Sequence, residues 1–348
     1  MGTRFKLTVL ALSAALLSGC YVVQQGYGQA RLLMSREPVS KVLAAPDTSA
    51  QVRHKLEVIL AAKAYAEQVI GLRHTSNYES YVPLKRDAVT YVVSAAPKDK
   101  LTPYTWWFPI VGSVPYKGYF ARKDAVALQE SLKAQGYDTI LRNVPAFSTL
   151  GWLPDPVYSP FLRYDDATLA NIVIHETTHA TLYLPGQASF NEGFATFVGN
   201  VGAQGFLRQR DGADSPEYRE AVDAVADNAL FTTFIQEVSA ELEALYDSHE
   251  PESEKLAERE TIFAAAKARF ARDYAPRMKT DQFRGFDKAP LNNAAMVSYR
   301  TYYNRLDRFE AAYVREGKDL RKLVQFFKDQ VAKAPDPEAY LDNWLSSS

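Results

Sequence analysis

The sequence predicts an α+β chain, mainly helical, in which a small sheet lies beside one buried helix and a run of helices follows. Three features lead there. Strand-like stretches, β-branched and alternating, are confined to residues 87–141. From residue 161 onward, apolar residues recur at three- and four-residue spacing with few interruptions. Strands first and helices afterwards is an α+β order, not the alternation of βαβ units. The chain has 348 residues, 47 % of them hydrophobic and 23 % charged, enough for one large core. With no composition break after residue 20, residues 20–348 read as one domain. It has an α+β part at 21–160, a central helical pair at 161–210 and a helical part at 215–348.

Residues 1–19 fall outside that domain. Arg4 and Lys6 form a short positive region, followed by an apolar run at 7–17 that is too short to span a bilayer. The run ends in L-S-G-C, which resembles the bacterial lipoprotein signal, cleaved ahead of a Cys that becomes lipid-modified. Cys20 is the only cysteine, so an internal disulfide and a zinc–thiolate site are both excluded. By that resemblance the mature chain starts at Cys20 and is held to a membrane by its acyl chains. Tyr21, where an Asp would signal retention, points to the outer membrane with the body facing the periplasm. A net charge of −1 and the lack of a basic cluster give no support to nucleic-acid binding.

Along the body, residues 51–70 carry Val52, Leu56, Ile59, Leu60, Ala64 and Val69 at helical spacing. Residues 87–96 alternate as a strand, 106–111 form a second apolar run, and 112–120 read as turn and strand. A helix is expected at 123–135, ended by Gly136, then a short strand at 139–141. Pro145, Pro154, Pro156 and Pro160 make 144–160 loop-like. After the central pair, residues 215–247 and 254–274 form a helical hairpin about a turn at 248–252. Two further helices fit 293–314 and 319–334.

The chemistry is concentrated at residues 171–196, which hold H-E-T-T-H at 175–179 and F-N-E-G-F-A at 190–195. Asp165 and Asp166 offer N-caps and Pro185-Gly186 a stop, so the first motif belongs on a helix. There, positions i and i+4 share a face with Cβ atoms about 5–6 Å apart. His175 and His179 can therefore bind one cation from the same side, as a zinc site with nitrogen ligands requires. Glu176, one step round, is placed to take a proton from a water activated at that cation. Glu192 on the next segment is the candidate third ligand, and a fourth position left to water would make the site catalytic.

With five His in the chain, H-E-x-x-H arises by chance in roughly 1 chain in 200, so the motif carries weight. Its helix is apolar nearly all round, through Leu169, Ile172, Val173, Ile174, Leu182 and Leu184. Buried imidazoles and carboxylates need partners, and a metal supplies one. Phe190, Phe194 and Phe197 surround Glu192, where an unpaired carboxylate would cost several kcal/mol. The competing reading is a set of satisfied core polar groups without metal. His249 reads as solvated, and His54 and His74 as structural. Asp155 either orients a ligand His or caps a turn.

N-E-G-F-A after H-E-x-x-H resembles the gluzincin metallopeptidases, in which a Glu on the helix after the His pair completes the zinc site. More closely, the chain resembles a family of bacterial lipoproteins described as zinc aminopeptidases. The likeness runs through Q-G-Y-G-Q-A-R-L-L near the start, S-N-Y-E-S-Y at 76–81 and W-F-P-I-V-G-S-V-P-Y-K-G-Y-F at 107–120. It continues through V-P-A-F-S-T-L-G-W-L-P-D-P-V at 144–157 and L-N-N-A at 291–294. The resemblance implies a zincin-like core, zinc on His175, His179 and Glu192, Glu176 as general base and a peptide or protein substrate. Related gluzincins add an oxyanion donor downstream, for which Tyr302 is the candidate and Tyr299 and Tyr303 the competitors.

Two departures from the gluzincin pattern matter. Only 12 residues separate His179 from Glu192, so the connection between the helices must be tight. The G-x-M-E-N segment that grips a free amino terminus is missing, which weakens the exopeptidase reading relative to the peptidase reading. The alternatives are an endopeptidase of envelope proteins, gated by the 215–274 hairpin, and a non-catalytic zinc-binding lipoprotein that binds a partner. Glu176 argues against the last, because a structural zinc site has no use for a base. Residues 106–119 and 144–158, rich in Trp, Tyr and Pro, would line a substrate groove if a peptide adds to the sheet edge.

Overall fold

The computed structural model describes residues 34–108, 112–144, 154–303 and 306–347, without the side chain of Tyr303. Residues 1–19 (the expected leader), Cys20 and residues 145–153 of the loop at 144–160 lie outside the described residues. The chain order starts with β1 (Glu37–Pro38), α1 (Val39–Ala44) and α2 (Ala50–Tyr65), which widens into a π-helical turn at Ala66–Ile70. Strands β2 (Ser80–Val82), β3 (Thr90–Ala96), β4 (Trp106–Phe108), β5 (Gly112–Val114) and β6 (Lys117–Tyr119) follow. Then come α3 (Arg122–Ala134), β7 (Asp138–Val144) and β8 (Val157–Tyr158). The remainder is helical: α4 (Asp166–Thr181), α5 (Ala188–Asp211), α6 (Pro216–Tyr246), α7 (Glu252–Arg269), α8 (Asn293–Tyr303), α9 (Leu306–Arg315), α10 (Leu320–Asp329) and α11 (Pro337–Ser346).

This is the mainly helical α+β architecture that the order of patterns implied. The strands form three small sheets. The largest has β3 in the centre, antiparallel to β6 and β7, with Val93 opposite both Lys117 and Leu141. The second pairs β2 antiparallel with β1 and parallel with β8, and the third is the β4–β5 hairpin. No described helix is long and apolar enough to cross a membrane.

Helix boundaries follow local chemistry. Asp165 caps α4 by accepting from Thr168 N at 2.7 Å, Ser215 caps α6 ahead of Pro216, and Asp319 caps α10. The 248–252 turn does separate α6 from α7, and the hairpin packs on the body through Phe231, Phe234 and Phe270. Helix α4 ends at Thr181, ahead of the Pro185-Gly186 stop. Thr177, Thr178 and Thr181 turn their hydroxyls back to the carbonyls of Val173, Ile174 and Thr177 at 2.6–2.8 Å. Leu182 then leaves the helix in extended conformation, and it and Leu184 pack against the α5, α9 and α10 cluster.

The pair α4–α5 is the centre of the molecule. Leu169, Val173 and Ile174 of α4 are wholly buried, each contributing about 1.5–3 kcal/mol of transfer free energy. Close approach of the two helices depends on glycine. A Cβ on Gly199 would stand 3.1 Å from the carbonyl oxygen of Asn171 and 3.3 Å from the Cβ of His175. One on Gly202 would stand 2.9 Å from both Ile174 and Ile70. Beside the crossing, Asp166 takes Lys55 at 2.8 Å and His54 and Arg210 at 2.9 Å, tying α2, α4 and α5 together.

Candidate functional site

His175 and His179 lie one turn apart on α4 and Glu192 lies in the second turn of α5, so the crossing brings the three together. The Nε2 atoms of the two rings are 3.0 Å apart. Glu192 Oε2 is 3.3 Å from the first and 3.5 Å from the second. The rings meet edge to face at 84°, which aims both nitrogens at one point. All three side chains are largely shielded, with exposures of 14 %, 5 % and 12 %.

The short link between the helices is made by Asn191. Its amide accepts from Leu184 N at 2.9 Å and donates to Leu184 O at 2.8 Å, folding 182–187 back onto the start of α5. Gly186, at φ +79°, turns the chain there. Gly112, at φ +74°, lies so close that a Cβ on it would sit 3.1 Å from Gly186 N. That contact lays the β5–β6 segment over the link. No sequence pattern marked Asn191, because its role exists only once the link is folded.

These donors fit a divalent cation. Tetrahedral ligands about 2.0–2.2 Å from zinc stand roughly 3.3–3.6 Å from one another, close to the spacing of the three atoms here. The set of two imidazoles and one carboxylate is also the chemistry that zinc accepts. The electrostatics keep Glu192 ionised, as a ligand must be, while favouring a proton on His179 when no metal is bound. Burial would raise the carboxyl pKa of Glu192, but the charge of His179 and hydrogen bonds from both rings hold it well below the carboxylate range. Burial would lower the pKa of His179, yet the charge and hydrogen bond of Glu192, with the charge of Glu176, raise it. The Nδ1 of His179 is buried without a hydrogen-bond partner. The backbone carbonyl of Asp155 braces Tyr78, accepting its N–H at 2.7 Å.

Four tyrosines surround this group. Glu192 is the first cause of a raised pKa at Tyr302, with burial next and Arg142 opposing. Tyr116 is pushed up by burial and then by Glu192, Tyr302, Tyr183 and Glu176. Tyr183 sets its ring 6.4 Å from that of His179. Tyr78 is buried beside Glu176 and Asp155 and holds a left-handed backbone at φ +65°, a strained conformation of the kind that clusters at functional sites. Tyr116 and Tyr78 belong to stretches that carried the family resemblance, but nothing in the sequence singled them out.

The other candidates lie elsewhere. Tyr299 packs edge-on against Phe231 at 5.1 Å in the hairpin core. His54 pairs with Asp166, His74 with Glu67, and His249 is exposed.

The fold and this group define a mainly helical α+β protein with a buried His–His–Glu set able to hold a metal ion. The chain belongs to the family described as "Putative aminopeptidase", whose model matches residues 20–339. That membership supports a peptidase as its general class. No curated protein and no solved structure matches the chain.

Proposed function

We propose that the protein is a zinc-dependent peptidase, an aminopeptidase by its family, anchored in the cell envelope through lipid on Cys20. The observation that carries this reading is the convergence of His175 Nε2, His179 Nε2 and Glu192 Oε2 at 3.0–3.5 Å, one residue from Glu176. Zinc bound by these three would polarise the scissile carbonyl and acidify a water. Glu176 takes the proton of the attacking water and passes it to the leaving amine. Tyr302 keeps its proton because Glu192 and burial hold its pKa high, so it donates a hydrogen bond to the oxyanion that develops. Tyr116, Tyr183 and Tyr78 shield the reacting atoms from bulk solvent. The family description favours an exopeptidase, and Tyr21, directly after Cys20, favours an outer-membrane location facing the periplasm.

The test uses aminoacyl fluorogenic substrates and internally quenched peptides, with metal content read in parallel. Glu176→Gln is expected to keep one zinc per chain and lose activity, whereas His179→Ala loses the metal. Turnover of quenched peptides alone would shift the reading to an endopeptidase. Turnover of neither by the zinc-loaded wild type would leave a metal-binding protein that recognises a partner.

A further inference from the structure

Next to the His–His–Glu group lies a small cleft with free space of about 10 Å³, roughly the room of one water, lined among others by Ser94, Tyr116, Arg142, Ser298, Thr301 and Tyr302. Two of these, Tyr116 and Tyr302, also wall the site, since both feel the charge of Glu192. The cleft therefore lies beside the donor group, sharing these two tyrosines with it. Arg142, on β7, sets its guanidinium carbon 5.7 Å from the centre of the Tyr302 ring. Its Nε is buried and has no hydrogen-bond partner.

Three other shielded arginines are each neutralised by a carboxylate: Arg259 by Asp138, Arg308 by Glu338 and Arg210 by Asp166. Arg142 pairs with no carboxylate among the described residues. The stretches outside them, 1–33, 109–111, 145–153, 304–305 and 348, contain no Asp or Glu that could serve. Arg142 is half-buried, and its buried Nε without a partner is costly, a cost that an anion bound beside it would reduce. Its five N–H donors outnumber what Tyr302 can accept. The hydroxyls of Ser94 and Ser298 can rotate to donate to the same anion.

We infer that Arg142, with Ser94 and Ser298, forms a subsite for a carboxylate of the substrate, beside Tyr302 and so close to the bond that is cut. The inference deepens the peptidase reading and rests on it for the word substrate, but the anion site itself does not need turnover. Two sources supply that carboxylate: the free C-terminus of a short peptide, or an Asp or Glu side chain near the scissile bond. An enzyme with this subsite acts on short or acidic peptides in preference to neutral, extended chains.

The experiment measures binding by calorimetry in the Glu176→Gln background and kcat/KM in the wild-type background. The probes are tri-alanine, tri-alanine amide, Ala-Asp-Ala amide and Ala-Asn-Ala amide, with Arg142 intact, Arg142→Lys or Arg142→Gln. The expected result is at least about tenfold tighter binding of one acid over its neutral partner, the lower end of a charged hydrogen bond. Arg142→Gln is expected to abolish that preference and Arg142→Lys to keep part of it. Preference for tri-alanine over its amide identifies the C-terminus, and preference for the Asp peptide over the Asn peptide identifies a side chain. If Arg142→Gln lowers kcat equally for acids and amides and no binding preference exists, Arg142 only holds Tyr302 and the inference is overturned. If peptides bind with the preference but none is hydrolysed, the subsite stands and the peptidase reading fails.

Discussion

Asp138 and Arg259 lock the hairpin to the sheet, and breaking them should be costly. The carboxylate accepts from Arg259 Nη1 at 2.7 Å, from Nη2 at 3.2 Å and from Asn293 N at 3.0 Å. Asp138 is 7 % exposed and Arg259 5 %. Asp138→Ala removes three charge-assisted hydrogen bonds, two of them from Arg259, and strands a buried guanidinium that keeps Lys98 O at 2.8 Å and Glu260 at 2.9 Å. Loss of one partner of a buried pair costs about 3–5 kcal/mol, and the two surviving contacts of Arg259 favour the lower end. Asp138→Asn retains an acceptor oxygen and should lose roughly half as much. Urea unfolding followed by circular dichroism, with a double-mutant cycle through Arg259→Met, gives both the loss and the coupling. A loss under about 1 kcal/mol for Asp138→Ala, with no coupling, would refute the reasoning.

Other consequences are as direct. Gly202→Ala should destabilise the protein by up to about 2 kcal/mol: overpacking against Ile174 and Ile70 costs about 1–3 and better helix propensity returns about 1. It should also weaken metal binding, because it parts α4 from α5; a melting curve and a zinc titration check both. Asn191→Ala should cost about 1–3 kcal/mol for two buried hydrogen bonds and likewise weaken metal binding, read by the same pair of measurements. Zinc affinity should fall as pH drops through and somewhat above 6.5, since the raised pKa of His179 lets protons compete there. In the metal-free protein the His179 contribution is complete below pH 6.5 and fades as pH rises through the higher folded value. That of Glu192 is present above 4.5 and is lost on acidification, so together they stabilise most between about pH 4.5 and 6.5. Thermal scans with and without chelator across pH 4–9 test the sign.

The donor group was legible because its logic is local. Helical spacing alone puts His175 and His179 on one face, and the aromatic setting of Glu192 announces a buried carboxylate. The hairpin and the strands at 87–96 and 139–141 were equally plain from periodicity, whereas the β3–β7 pairing and the early end of α4, where Leu182 and Leu184 turn to the α5, α9 and α10 cluster, were not. Asn191, Tyr116, Tyr78 and Arg142 were not legible as individuals. Each acts through a contact with a distant segment: Tyr116 reaches Glu192 only because Gly112 nests against Gly186, and Arg142 reaches Tyr302 only through the packing of α8 on β7. Among 21 tyrosines, spacing cannot tell a core ring such as Tyr299 from one beside the site such as Tyr302.

The most direct measurement is X-ray absorption at the zinc edge, with metal stoichiometry, on the purified wild type and on Glu192→Ala. Two imidazole nitrogens and a carboxylate oxygen at one zinc per chain, with affinity lost in the variant, is the predicted result. Zinc bound as tightly by Glu192→Ala, or a wild type that takes up none, would contradict the assignment of His175, His179 and Glu192 as a single cation site.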